Sequence, residues 1–433
     1  MKKAENLKDM LKVFRLGPLN SNELLDNFFY DGTIPVRTGY DDKSPLLDIY
    51  EECTSGLVST HLLVSHTGCG KSTELHNLRR RLEAEGWPVH IVNSEQDLDL
   101  FNVTRWDILL LVAEAMCKIA KDREINIDSQ LLKEVVDYIK TDTTTTTETS
   151  DEANMELGAV VNFFVSIKAA IKSSEKQKKT VEEKLEKRAS DWIRLVEEIS
   201  HIITNHVGMK FPIVIFEGLD KANDLEKIID IFQYTVLAKL PFPIIYTFPV
   251  SLVYDTRMTL IEASFSVHHL PMIRVNNIDN TPHQEGIKVM KAIIEKRASL
   301  DLFEENVLEE LIIKTGGVIR QLFMVIISAA KFADRRAEGT IQMNDATRAL
   351  ADLKDTLKGR IVMDEFEELS RIYTDVKYKF AIKDKESLIK FMRGLIVLEY
   401  KNGGKWHNLH PLVAEFLRDI RELEKDEAKS NGA

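Results

Sequence analysis

The chain has 433 residues, 44% of them hydrophobic and 29% charged, a balance that excludes a disordered polymer and makes two or three globular domains the expectation. Its formal charge of -11 argues against a surface built throughout for nucleic acid, although a local basic face is compatible with it. Cys53, Cys69 and Cys117 are too few and too scattered for a disulfide framework or a cysteine zinc site, and no leader-like or span-length apolar run occurs, so a reducing cytoplasm is expected and no membrane partner.

Residues 1–40 read as a lead segment of mixed charge, and a core is expected over 41–278. Leu62–Val64 is an expected strand and Glu74–Glu85 an expected helix, and between them stands His66-Thr67-Gly68-Cys69-Gly70-Lys71-Ser72-Thr73. Strand, glycines and helix together predict a nucleotide-phosphate loop. The glycines let backbone N–H groups turn inward around phosphate oxygens, Lys71 supplies a cation for the β and γ phosphates, and the Ser72 hydroxyl suits Mg2+. The helix adds the positive end of its dipole. Ser65 stands where the usual pattern has glycine, so the turn requires a negative φ there. Cys69 reads as backbone filler and not as a reactive thiol.

Further strands are expected at Val89–Val92, Ile213–Phe216, Ile244–Thr247 and Leu270–Val275, and their alternation with helices predicts a parallel sheet covered by helices. The long interval after the second strand holds a helix, Asp107–Ala120, and an insertion at about 121–190. Within it, Thr141–Asp151 is polar with nothing to bury and is expected to be a mobile surface loop. Lys172–Arg188 reads as a solvated helix face, with Lys176, Lys178 and Lys179 a weaker candidate for a partner contact. Trp192, Leu195, Val196, Ile199, Ile202 and Ile203 recur at helical spacing and should dock on the sheet.

A phosphate loop needs acidic partners for a metal and for water, and these normally end a neighbouring strand. Glu217 closes the apolar run Ile213–Phe216 and is expected to meet the metal shell through water; Asp220 lies three residues on. Gly218 occupies the position where a water-polarising glutamate often stands, so binding is better supported than hydrolysis. Thr247 places a hydroxyl at the end of the fourth strand, near a γ-phosphate, although threonine is common in strands for steric reasons alone.

Past Asn276 the pattern is helical: Gly286–Leu300, Asn306–Lys314, Val318–Ala333 and a helix capped by Asn344 that runs to Leu357, a lid over 279–357. Arg320 follows Gly316-Gly317 in the first turn of its helix. A cation opposes the dipole there, which points to an anion engaging both, a γ-phosphate. Arg257, Arg274 and Arg297 are further candidates that no spacing singles out. In residues 358–433 a helix, Ser387–Leu395, precedes Ile396–Tyr400 and Lys405–Leu409 around Asn402-Gly403, which predicts a winged helix; the charged stretch Arg421–Lys429 is expected to fray. His268-His269 read as structural, and no metal-spaced His/Cys cluster or Ser/His/Asp set is visible.

In this order His66–Thr73, Val214–Asp220, Tyr246–Pro249 and Gly316–Arg320 resemble the phosphate loop, acidic strand, polar sensor and lid arginine of an AAA+-type P-loop ATPase. The nearest look is to origin-recognition-like and STAND (signal-transduction) ATPases, over roughly Val36 to Leu417. The resemblance implies an α/β fold with a three-layer parallel sheet in the order 5-1-4-3-2, a helical lid and a winged helix. It implies ATP and Mg2+ between core and lid, the metal at Ser72 and Glu217, and catalytic roles for Lys71, Glu217, Asp220, Thr247 and Arg320. Ser65, Glu217 and Gly218 depart from the pattern and put turnover rate in doubt. Tyr400, Trp406 and His410-Pro411 resemble the end of bacterial ATPases of this kind, some of which are switches in phage defence, an analogy of fold only. Two functions compete: an ATP-dependent switch acting on a protein effector or on further copies of itself, and a DNA remodeller or loader using Lys385, Lys390 and Arg393. The acidic chain favours the switch, and a nucleotide-bound scaffold that never turns over is a third option.

Overall fold

Five short apolar runs form one parallel sheet in the order β2-β3-β4-β1-β5, where β1 is Thr60–Ser65, β2 Val89–Asn93, β3 Ile213–Glu217, β4 Ile244–Pro249 and β5 Ser266–His269. The computed structural model describes residues 2–14, 17–41, 44–140, 155–337, 339–381 and 383–431, so the loop expected at Thr141–Asp151 lies outside the described residues. The three inner strands are buried along their whole length, as a parallel sheet covered on both faces requires. Alternation divides their side chains. Leu62, Val64, Val214, Phe216, Tyr246 and Phe248 enter one core, while Leu63, Ile213, Ile215 and Ile245 enter another on the opposite face.

The first face is covered by the helix Arg105–Asp122, which lies against β2, and by Leu225–Gln233. The helix Ala189–His206 packs chiefly on Arg105–Asp122, with the Trp192 indole donating to the Leu109 carbonyl at 3.2 Å, so it forms a further layer where the spacing predicted contact with the sheet. Its partners in the insertion are the helices Ser129–Ile139, Leu157–Ser173 and Glu175–Lys187. Lys178 is buried there in an ion pair of 2.9 Å with Asp107, which removes it from the exposed lysine cluster.

On the second face the helices Lys71–Ala84 and Pro45–Thr54 join a cluster that also contains Leu398, Tyr400 and Trp406. Those residues belong to the antiparallel hairpin of β6, Val397–Asn402, and β7, Gly404–Leu409. The hairpin follows the helices Phe366–Thr374, Val376–Phe380 and Lys385–Arg393, the arrangement of a winged helix. The helix Pro411–Asn431 runs on through the stretch expected to fray.

Two other expectations are corrected. The fifth strand is Ser266–His269 and not Leu270–Val275: the Leu270 N–H still bonds the Val64 carbonyl, but Pro271 has no donor with which to extend the ladder. The last lid helix is Met343–Lys358, entered at Gln342 and not at Asn344, because the Asp345 carboxylate accepts from the Gln342 N–H at 3.0 Å. The other lid helices are Gln284–Glu295, Val307–Lys314 and Ile319–Arg335. Against the last of these packs the helix Leu7–Val13 of the lead segment.

Candidate functional site

The phosphate loop lies between the end of β1 and the helix Lys71–Ala84, as its sequence predicts. Ser65 keeps strand geometry as the last residue of β1, paired with Pro249, so glycine's freedom is not needed there. A cleft of about 940 Å³, its open mouth included, is lined by His66, Thr67, Gly68, Gly70, Lys71, Ser72 and Thr73 together with Asp220, Arg297 and Arg320. Its apolar wall is supplied by Leu19, Phe28, Phe29, Ile293 and Phe323. The lead segment thus builds most of the apolar side, and the Leu19 N–H bonds the Thr73 hydroxyl at 3.3 Å.

Lys71 and Asp220 meet in an ion pair of 2.5 Å with only 6% and 3% of their side chains exposed. Burial alone would raise the Asp220 carboxyl, but the Lys71 charge and hydrogen bond outweigh it and hold the group below its usual range. Thr247 is fully buried, and its hydroxyl accepts from the N–H groups of Leu219 at 2.9 Å and Asp220 at 3.4 Å. It therefore touches the site through the turn that carries Asp220. Glu217 accepts from His76 Nε2 at 2.9 Å; here too burial pushes the carboxyl up, and hydrogen bonds from His76 and Ser72 bring it below its ordinary value. Gly218 has φ +85°, which a glutamate would adopt only with strain, and a Cβ there would stand 3.3 Å from the Glu95 side chain. Glu95, unnoticed in the sequence, pairs with Lys221 beside it.

Three long-range contacts hold the loop. Arg37 is buried at 1% exposure and donates to the Cys69 carbonyl at 2.8 Å and the Pro271 carbonyl at 2.5 Å. From the lid, the Arg320 N–H bonds the Gly68 carbonyl at 3.0 Å, and the Arg320 Cβ stands 2.9 Å from where a side chain on Gly68 would begin. From the hairpin, the Glu399 N–H donates to His66 Nε2 at 2.8 Å. Burial pushes His66 down to about 3, so the ring is neutral and accepts at Nε2. No local pattern announces the partners of Arg37 or His66. Of the other arginines, Arg297 reaches the cleft, whereas Arg257 pairs with Asp255 and Glu226, and Arg274 meets His283 at 2.6 Å.

Strand order, loop and following helix define a P-loop NTPase architecture. No protein-family model matches the sequence, and no curated protein does. The chain is similar in fold to the ORC1 protein of Aeropyrum pernix in complex with DNA, at 12% identity over 88% of this chain and 93% of that one, with a TM-score of 0.40. It is likewise similar to a Walker-type ATPase of Pyrococcus abyssi (12% identity, 94% and 99% covered, TM-score 0.45) and to the RuvB Holliday junction branch migration motor of Thermotoga maritima (10%, 90% and 95%, TM-score 0.36). Likeness at this level transfers no ligand and no activity.

Proposed function

We propose that the chain is an AAA+/STAND-type ATPase that binds ATP with Mg2+ in this cleft and works as a switch on a protein partner or on further copies of itself. The observation that carries the reading is the convergence of lid and hairpin on the phosphate loop, through Arg320 on Gly68 and Glu399 on His66. A ligand that reshapes the loop must then act on both. In this reading residues 41–278 are the core, 279–357 the lid and 358–433 the moving winged helix and tail, with 1–40 covering the base.

The oxygen donors fit a hard cation. Ser72, Glu217 and Asp220 would hold it, and Asp220 Oδ1 is buried with no hydrogen-bond partner among the described residues, which leaves a carboxylate oxygen to offer. When bound, Mg2+ would neutralise charge on the β and γ phosphates. Lys71 and Arg320 face the cleft from core and lid, so a triphosphate can engage both.

ATP-analogue and ADP states are therefore expected to differ in amide exchange across Gly316–Ala333 and Ile396–Leu409, and Arg320→Ala should erase the difference while ATP still binds. Complete switching between mostly closed and mostly open needs about 5.5 kcal/mol of differential affinity. Identical protection in both states would end the switch reading. Hydrolysis should be slow, because Gly218 offers no group to polarise water. Phosphate release from the purified chain at or above about 10 s⁻¹, the median enzyme rate, would contradict this.

The DNA-loader reading has less support. The helix Lys385–Arg393 packs on Val250–Tyr254, Arg393 donates to the Ala222 and Asn223 carbonyls at 3.3 and 2.5 Å, and Lys390 pairs with Glu365. Two of the three cations proposed for phosphates are thus engaged internally. Specific, salt-dependent DNA binding would restore it. A setting in phage defence rests on resemblance alone.

A further inference from the structure

Near the end of β1 remote from the phosphate loop, two buried histidines meet diagonally across adjacent strands, His61 being in register with Ser266 and His268 with Leu63. His61 of β1 and His268 of β5 bring Nδ1 and Nε2 to 3.1 Å, and both rings belong to the buried residues. The helix Pro45–Thr54 adds Glu52, whose carboxylate oxygens lie 3.7 Å from His61 Nδ1 and 3.8 Å from His268 Nε2. At those distances the carboxylate accepts from neither ring, and its hydrogen bond is a long one from the Ser266 hydroxyl at 3.4 Å. As a purely structural pair, the two nitrogens would share one proton beside a carboxylate that satisfies neither.

The two ring nitrogens and a Glu52 carboxylate oxygen, all within 4.8 Å of one another, suit a cation between them. Metal bonds of the zinc type, about 2.0–2.1 Å long, set tetrahedral ligands about 3.3 Å apart; the ring nitrogens are 3.1 Å apart, and each ring has one of the two Glu52 oxygens at 3.7 or 3.8 Å. A ring nitrogen that carries no proton offers a metal its lone pair, and His61 Nδ1 and His268 Nε2 approach each other across this gap. His61 Nε2 meets the Ser59 hydroxyl at 2.7 Å, the outer contact that orients a ligating ring and leaves Nδ1 free. Cys53 lies on the far side of that ring, 3.7 Å from Nε2 and away from the Nδ1 that meets His268, so it stands outside the proposed ligand set. The Glu52 side chain is 43% exposed beside a surface groove that includes Ser59 and Ser266, which gives an ion a way in and a water a fourth position.

We infer that Glu52, His61 and His268 form a binding site for a divalent transition cation of the zinc type, which clamps the helix Pro45–Thr54 to the β1–β5 edge of the sheet. Two imidazoles with one carboxylate select such an ion over Mg2+ or Ca2+, which prefer oxygen ligands throughout. None of Glu52, His61 and His268 lines the nucleotide cleft, so this centre is distinct from it.

The test uses the full chain, stripped with chelator and free of nucleotide, titrated with zinc chloride and desalted before elemental analysis. One zinc per chain and a rise in Tm are expected, both persisting in millimolar Mg2+. Glu52→Gln changes a half-exposed group and leaves both histidines in place; it should weaken zinc by more than the ~10–100-fold that even outer-shell changes cost. Glu51→Gln, at the neighbouring exposed carboxylate, should change nothing. His268→Gln, confirmed as folded by circular dichroism, should also lose the ion. Failure of the unsubstituted chain to retain zinc, or equal uptake by the Glu52→Gln and Glu51→Gln chains, would overturn the assignment.

Discussion

Lys71→Ala is expected to lose both ATP binding and fold stability, and the two losses can be told apart. The missing cation leaves phosphate charge uncompensated in a partly dry site, about 2–3 kcal/mol, or a ~30- to 150-fold fall in affinity. The same substitution strands Asp220, whose side chain is 3% exposed, and breaking a buried ion pair from one side costs roughly 3–5 kcal/mol. Adding Asp220→Asn removes the orphaned charge, so the double variant should recover most of the stability and none of the binding. Denaturant titration and calorimetry on the three chains check this, and undiminished nucleotide binding by folded Lys71→Ala would refute the phosphate-loop reading. The pH dependence has a definite sign. Asp220 is held below its ordinary 3.8 in the folded chain, so the pair's contribution is complete above that value and fades as pH falls through the folded one.

Gly317→Ala should strongly destabilise the lid. Gly317 has φ +85°, and a Cβ there would stand 2.0 Å from the Ile273 carbonyl oxygen. Left-handed backbone costs alanine about 1–2 kcal/mol, and the forced backbone shift adds roughly 1–3 kcal/mol. The consequence reaches function because the same turn aims Arg320 at Gly68, while the Gly316 carbonyl accepts from the Tyr400 hydroxyl at 2.7 Å. Gly317→Ala should therefore lower Tm and expose Gly316–Ala333 and the hairpin to exchange together. Gly158→Ala, where an added Cβ meets nothing within 4 Å among the described residues, is the control. Equal stability of the two variants would show that lid and hairpin do not depend on this turn.

Short-range patterns accounted for most of the architecture. The phosphate loop, four of the five sheet strands, the lid helices and the hairpin each declare themselves within a dozen residues, by alternation, helical spacing or turn chemistry, and the strand order agrees with that implied by the resemblance. The positions of Glu217 and Asp220 followed from the same local pattern, since Glu217 ends a continuous apolar strand and Asp220 stands in the turn just after it. The misplaced fifth strand shows the limit: Leu270–Val275 has strand composition, but Pro271 denies it the ladder and its carbonyl goes to Arg37. Arg37 itself, the apolar wall from the lead segment and the bond from Glu399 to His66 depend on residues brought together by packing, and no periodicity encodes them. The sequence by itself determined that a glycine-rich turn carrying Lys71 joins a strand of a parallel sheet to a helix, because that pattern is written in adjacent residues. Only the tertiary structure decided what closes over the loop, and that Glu52 and His61 meet His268, because contacts across two hundred residues are selected by burial and shape and leave no local trace.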